Sequence, residues 1–308
     1  MVHKKIVSSC MTLDGQVDLT DRQKKKLFRW RRVNKCLPDL EKPKTFAEKQ
    51  IYRSLFYRDP YYYLYAAKVN APLFIVGRMP SGLKLIRRYG AYQFITPDLL
   101  ESIPADRFMI KSSWASGLNL KIQSRKQSNL GEICRKVNHK LDKIKNAQGF
   151  NDPYNSVIVE ELIGEPDELL EDYKFHCIRD RDQNLQMIIQ HYKEMEDGKR
   201  YQCAYDINFN RLDYSISSMP SYSHSFKKPE MFDAAVEIAH HLTAGFDYMR
   251  LDLYFVDGCV YFGEFTPFHK GGCARVTSRR QDLELGQHWN MRRQIFRPEE
   301  RVGKLLMP

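Results

Sequence analysis

Residues 248–268, YMRLDLYFVDGCVYFGEFTPF, are apolar or aromatic almost throughout and break at Asp257-Gly258, which reads as two buried strands joined by a tight turn. Arg250, Asp252 and Glu264 interrupt the pattern where only hydrophobes would be expected. Side chains alternate across a strand, so Tyr248, Arg250, Asp252 and Tyr254 share one face, while Met249, Leu251, Leu253 and Phe255 make the other wholly apolar. On the second strand Phe262, Glu264 and Thr266 share a face. A two-residue turn would pair Val256 with Cys259 and aim Asp252 and Glu264 to opposite sides. A three-residue loop, with Gly258 left-handed, would pair Phe255 with Cys259 and set Arg250 opposite Glu264. Asp252 would then be the diagonal neighbour of Glu264, about 7–8 Å away between backbones. The three-residue loop is the expectation. In that register two acids against one base suit Mg²⁺ holding phosphate oxygens; a salt bridge on a solvated sheet face is the alternative.

The bulk numbers bound the rest. A chain of 308 residues, 43% hydrophobic, can build a substantial core and as many as two domains. Its 49 basic residues against 38 acidic ones give a formal charge of +11, which implies an anionic partner without choosing one. Seven cysteines without a C-x-x-C pair fit reduced thiols in a cytosolic protein. The start shows no signal-peptide pattern, and no run approaches the roughly 18–20 apolar residues of a spanning helix. No helix-turn-helix, zinc or RNA-recognition pattern points to sequence-specific nucleic-acid binding.

Along the chain, residues 20–35 (TDRQKKKLFRWRRVNK) read either as a basic platform for an anionic partner or as a solvated helix docked through Leu27, Phe28 and Trp30. The tyrosines of 56–68 suit core packing better than sugar stacking. Residues 107–111 read as a strand, SSWASG as a small-residue turn, and NLKI as a second strand. Apolar residues at 130, 133, 137, 141 and 144 predict a helix over 128–146 with Ser128 as N-cap. SVIVEELI (156–163), DYKFHCI and LQMIIQHY read as strands, 194–227 as a long polar excursion, and 229–246 as a helix stopped by Gly245. Helices and strands interleave without regular alternation, so the fold class is α+β.

Several of these pieces, in this order, carry a resemblance: FMIKSSWASG, IVEELI, DYKFHC, YMRLDLYFVDGCVYFGEFTPF and DLELG. Together they resemble the ATP-grasp superfamily, and more narrowly its TupA-like branch, named for a teichuronic-acid biosynthesis protein. The resemblance implies an ATP-grasp fold with an N-terminal basic, tyrosine-rich region over 1–104. A small nucleotide-binding lobe over 105–165 and a C-terminal lobe with the metal site over 166–308 would follow. Lys111 would contact ATP phosphates, with Ser113, Ser116 and Gly117 in the loop that folds over them. Glu160, Glu161 and Leu162 would line adenine and ribose, and Lys174 would be a further phosphate contact. Asp252 and Glu264 would hold Mg²⁺, and Arg250 would face the transferred phosphoryl group. Thr266 stands where many members have a metal-binding Asn. Lys270, Gly271 and Gly272 would meet the acceptor.

The activity so implied is an ATP-dependent carboxylate–amine ligase working through an acyl-phosphate. It would join an amino acid or small amine to a sugar acid, free or lipid-linked, in bacterial surface polysaccharide synthesis. Its setting would be cytoplasmic or peripheral at the inner face of the membrane. A phosphotransferase or glycan-modifying transferase on the same scaffold is the enzymatic alternative. A nucleotide- or polyanion-binding protein without turnover is the non-enzymatic one.

Overall fold

The computed structural model describes residues 11–12, 15–16, 19–57, 60–114, 117–148, 156–164, 170–195 and 198–291. The first elements are β1 (Met11–Thr12), β2 (Gly15–Gln16), α1 (Asp21–Asn34), α2 (Phe46–Phe56), α3 (Pro60–Ala66), α4 (Leu73–Val76), β3 (Leu83–Leu85), β4 (Arg88–Tyr92) and α5 (Pro97–Glu101). Then come β5 (Phe108–Ser112), β6 (Asn119–Ile122), α6 (Leu130–Gln148), β7 (Val157–Glu161), β8 (Asp172–Arg179), β9 (Leu185–Glu194) and β10 (Arg200–Tyr205). The last described are α7 (Phe232–Leu242), β11 (Tyr248–Val256), β12 (Cys259–Thr266), a 3-10 turn at His269–Gly272 and α8 (Arg279–His288). The chain divides into two compact units. The first comprises Met1–Pro60, Glu171–Asp252 and Thr266–Pro308; the second comprises Tyr61–Leu170 and Leu253–Phe265.

The second unit is built on a sheet of order β4-β7-β5-β6, antiparallel at each junction. Alternation gives it an apolar face of Phe108, Ile110, Val157 and Val159, which meets Cys134, Val137 and Leu141 of α6 in one buried cluster. The helix follows the expected periodicity but starts later than expected. Asn129 Oδ1 accepts from the Glu132 N–H at 3.0 Å, whereas the Ser128 hydroxyl donates to the Ser124 carbonyl. Asn129 is therefore the residue that satisfies an orphan N–H of the first turn. Tyr62 and Tyr65 are buried, the latter with its ring 4.3 Å from Phe74. The core reading of the tyrosine-rich stretch thus holds for these residues.

In the first unit β8, β9 and β10 form an antiparallel sheet, and β11 lies beside β8 with its first five residues in this unit. The strand β10 lies inside 194–227, expected to be a polar excursion. Gln202, Cys203, Ala204 and Tyr205 are buried there, so tertiary burial rather than composition decides the state. Helix α1 docks through Leu27 and Trp30 but not Phe28, which is exposed, and most of its basic residues face outward while Lys26 reaches the Ser54 carbonyl.

The region 1–104 does not form a body of its own; residues 1–60 join the first unit, for a visible reason. Phe46 of α2 is fully buried between Tyr248 and Trp289, at ring distances of 5.4 and 5.5 Å. Arg53 of the same helix is buried, pairs with Asp247, and lies over the Trp289 ring at 4.6 Å. An isolated charge could not be buried so deeply, which ties α2 to the start of β11.

The turn between β11 and β12 corrects an expectation. Val256 ends one strand and Cys259 begins the next, with Asp257 at φ 50° and Gly258 at φ 67°. Two consecutive left-handed residues make a two-residue type I′ turn, which Asp-Gly serves well and which matches strand twist. The loop is even, so the odd-loop argument that brought Asp252 and Glu264 onto one face does not stand. The six described cysteines are free thiols, and among the described residues no helix is long and apolar enough to cross a membrane.

Asp282 of α8 accepts from the Ala47 N–H at the start of α2 at 2.8 Å, yet burial raises its carboxyl to about 6. A folded-state value above the unfolded one means the native state binds this proton more tightly, so its contribution favours folding as pH falls from about 7 to about 4. Asp282→Asn keeps the acceptor without the charge. Denaturant unfolding should show wild type gaining stability relative to the variant over that window; parallel profiles would contradict the assignment.

Candidate active site

Two charged constellations stand out, one in each unit. In the second unit the sheet face opposite α6 carries Arg88, Glu160 and Lys111 on three neighbouring strands. Arg88 of β4 is the register partner of Glu160 on β7. Lys111 of β5 pairs with Ile158, which makes Glu160 its diagonal neighbour. Lys111 Nζ meets Glu160 Oε1 at 2.5 Å. This face lines a cleft with Lys68, Tyr254 and Glu264, and Lys68 Nζ meets Glu264 Oε2 at 2.7 Å. Three cations thus face two carboxylates.

Arg88 completes this cleft. Its guanidinium donates to the carbonyls of Val69 at 2.8 Å and Lys68 at 2.7 Å, which fixes the segment carrying Lys68. Its Nε is buried without a hydrogen-bond partner among the described residues, and burial pulls its pKa down against the opposing pull of Glu160. A half-buried positive surplus with an orphan donor is an anion-binding feature. Neither Lys68 nor Arg88 stood out in the sequence. Lys68 ends a tyrosine-rich run, and Arg88 sits in an unpatterned basic stretch, so only strand pairing reveals them.

The expected loop residues behave differently from one another. Ser113 is buried; its N–H donates to the Ser156 carbonyl at 2.8 Å and its Oγ accepts from the Val69 N–H at 3.2 Å. It anchors the loop rather than offering its N–H to a ligand. Gly117 takes φ 102°, a conformation that favours glycine, and is exposed. Ser116 lies outside the described residues. Glu160 points into the cleft, while Glu161 is exposed and Leu162 is partly buried just beyond β7.

In the first unit, Arg250 and Asp252 of β11 form a two-pronged buried pair. Nε donates to Oδ1 at 2.6 Å and Nη2 to Oδ2 at 2.7 Å. Lys174 of β8 adds a contact to Asp252 Oδ2 at 2.6 Å and another to Asp172 at 2.6 Å. Bidentate, charge-assisted geometry of this kind is what makes a buried ion pair tolerable.

Arg250 Nη1 also donates to His269 Nδ1 at 3.0 Å, and His269 Nε2–H donates to the Ile216 carbonyl at 2.9 Å. Burial first, then the charges of His176, Arg250, Lys270 and Lys174, hold His269 well below its ordinary pKa. It is therefore a neutral acceptor that orients Arg250. His176 repeats the device: pushed down to about 3 by burial, it bonds Gln190 at 2.7 Å and Tyr248 at 3.0 Å.

Lys270 follows in the 3-10 turn with φ 50°, next to Gly271 and Gly272 at φ 64° and 91°. Gly272 admits no side chain, because a Cβ there would stand 2.1 Å from Ser54 Oγ of α2. Thr266 ends β12, half-buried. The expected residues thus fall into two groups. Lys111, Glu160 and Glu264 line one cleft with Lys68 and Arg88, whereas Lys174, Arg250, Asp252 and Lys270 belong to the other unit's cluster.

The family described as TupA-like ATPgrasp matches residues 98–290, well over half the chain, and the chain belongs to it. None of the curated proteins compared matches the chain. Among solved structures, it is similar to the ATP-grasp ligase PsnB complexed with a minimal precursor, at 12% identity and a TM-score of 0.37, covering 80% of this chain and 62% of that one. It is also similar to D-alanine–D-alanine ligase from Helicobacter pylori, at 13% identity and a TM-score of 0.38, covering 73% and 61%. N5-carboxyaminoimidazole ribonucleotide synthetase from Thermus thermophilus matches at 10% identity and a TM-score of 0.36, covering 66% and 45%. The chain thus spans about three fifths or less of the length of these solved relatives.

Asp252 is the hub of its cluster, taking charged hydrogen bonds from both Arg250 and Lys174. Asp252→Ala should cost about 3–5 kcal/mol, because it strands two buried cations. Replacing all three residues with apolar side chains of similar volume should cost much less. Denaturant melts of the two variants test this; equal losses would show that the pair matters only through packing.

Proposed function

We propose that the protein is an ATP-dependent carboxylate–amine ligase that activates its acid as an acyl-phosphate. Membership of the ATP-grasp family supports this reading, and the observation that carries it is the cation-rich cleft of Lys68, Arg88, Lys111, Glu160 and Glu264. Lysines parked on carboxylates are poised to exchange those partners for phosphate oxygens. Phosphoryl transfer asks mainly for positioning and charge neutralisation, so no side-chain nucleophile is needed. In this reading Lys68 and Lys111 bind ATP phosphates. Glu160, Glu161 and Leu162, at the exit of β7, line adenine and ribose. Lys174 and Arg250, the latter held by neutral His269, are proposed as further anion contacts within the first unit.

Glu264 is proposed as a Mg²⁺ ligand; Asp252, expected to share the ion, is aimed to the opposite face by the even turn and is engaged by Arg250 and Lys174 instead. Among the described residues there is no cluster of three or more His, Cys, Asp or Glu, so the protein alone supplies no closed cation cage. A single carboxylate fits Mg²⁺, which is commonly held by one or two carboxylates with phosphate oxygens and waters completing the shell. When bound, the ion would offset phosphate charge.

The reaction proposed is transfer of the γ-phosphoryl group to a carboxylate oxygen, releasing ADP. An amine then attacks the acyl carbon, an amide C–N bond forms, and inorganic phosphate leaves. The acid is proposed to be a sugar acid and the amine an amino acid or small amine, in surface polysaccharide synthesis. Thr266 and the turn at Lys270, Gly271 and Gly272 are proposed to meet the acceptor, and the setting is proposed to be cytoplasmic.

ADP release measured with acid alone, amine alone and both together should require both, and Glu264→Gln should lower turnover by about 100-fold or more with an unchanged melting temperature. Phosphate retained on the acid without any amine requirement would make the protein a phosphotransferase instead. Unaltered turnover in the variant would remove Glu264 from the site.

A further inference from the structure

Residues 68–88 of the second unit form an excursion whose two ends are tied together, since the Arg88 guanidinium donates to the carbonyls of Lys68 and Val69. Its inner side is packed. Ala71, Ile75 and Leu83 are buried, the Phe74 ring stands 4.3 Å from that of Tyr65, and β3 pairs in parallel with β12 through Leu83 and Val260. The Leu73 N–H donates to the Asn70 carbonyl and the Arg78 N–H to the Ile75 carbonyl, both at 2.9 Å, which fixes α4 on this base.

The outer side is apolar where a solvated helix would carry polar residues. Helix α4 has no polar residue at all; Phe74 and Ile75 pack inward, and Leu73 and Val76 turn outward. These two are the most exposed large hydrophobic side chains among the described residues, at 72% and 64%, and Met79 follows three residues on at 47%. The charge in this stretch has one sign. From Pro60 to Pro97 the chain holds no Asp or Glu, while Arg78, Lys84 and Arg87 flank the apolar side chains in sequence, the last two exposed. A single exposed hydrophobe is ordinary, but three at a spacing of three with a basic flank mark an interaction surface.

We propose that Leu73, Val76 and Met79, flanked by Lys84 and Arg87, are a peripheral docking site for a lipid bilayer with anionic headgroups. The aliphatic side chains enter the boundary between headgroups and acyl chains, and the cations meet lipid phosphates. A protein partner fits less well. Three aliphatic side chains fall short of the about 800 Å² per partner that a standard interface buries, and no aromatic anchor is among them. Nucleic acid would ask for exposed stacking rings, and Phe74, the only aromatic residue of 68–88, is engaged with Tyr65. A soluble polyanion would serve the cations and leave Leu73 and Val76 in water. The inner side of the same excursion gives Pro72, Leu85 and Ile86 to the cleft, so a docked protein carries its cleft beside the bilayer. Docking of this kind needs neither ATP nor the ligase chemistry.

The test uses the full chain without nucleotide, sedimented with vesicles of phosphatidylcholine alone or mixed with phosphatidylglycerol. The protein should pellet with the mixed vesicles and bind the neutral ones far more weakly. Binding should fall about tenfold or more in the triple variant Leu73→Ser, Val76→Ser, Met79→Ser, and persist in the double variant Leu73→Met, Val76→Leu. Melting temperatures should be unchanged, because these side chains lie outside the core. Val76→Trp should be quenched by lipids brominated in the acyl chain more strongly than wild type, which separates insertion from adsorption by charge and carries the test alone if the serine variant folds poorly. Failure to bind the mixed vesicles, equal binding by a folded serine variant, or no added quenching of Val76→Trp overturns the proposal. So does a dimer that forms without vesicles and dissociates in the serine variant, which would make a second copy the occupant.

Discussion

The interaction on which the first unit depends is the buried pairing of Asp252 with Arg250 and Lys174. Two cations and a carboxylate in low dielectric are stable only when every charge has a partner at close range. That requirement sets the neighbours: Asp172 on the far side of Lys174, and neutral His269 accepting from Arg250. His269 is itself tied to Ile216, and its backbone N–H donates to Gln50 Oε1 of α2 at 3.0 Å. The charge network and the docking of α2 are thus one structure. The same logic recurs where Arg53 reaches Asp247 at the foot of β11.

The second unit solves a related problem with a sheet. One face is given to hydrophobes under α6, and the other can then carry Arg88, Glu160 and Lys111 side by side. Their mutual pairing keeps the cleft soluble, and the surplus positive charge disposes it toward anions. Function and stability compete here only mildly, because half-buried pairs contribute little and are readily exchanged.

Much of this was legible in the sequence, and for physical reasons. The periodicity of 130–144 and the apolar runs of β5 and β7 are strong local signals, and the Asp-Gly turn marked the hairpin unmistakably. Whether that turn held two or three residues was not legible, because it depends on φ at Asp257 as well as Gly258. Asn129 replaced Ser128 as cap by a shift of one residue, within the range over which local chemistry is ambiguous. Lys68, Arg88 and the role of His269 became visible only through strand register and tertiary contact. The union of residues 1–60 with the first unit likewise turned on Phe46 and Arg53, whose partners lie nearly 200 or more positions away in sequence.

The central claim is that the acid is activated on its own oxygen. It is tested most directly with an acid that supports turnover, labelled with ¹⁸O in both carboxylate positions. Mass spectrometry of the products should find one ¹⁸O in inorganic phosphate for each amide formed. Phosphate free of label, or label retained wholly on the acceptor, would contradict it.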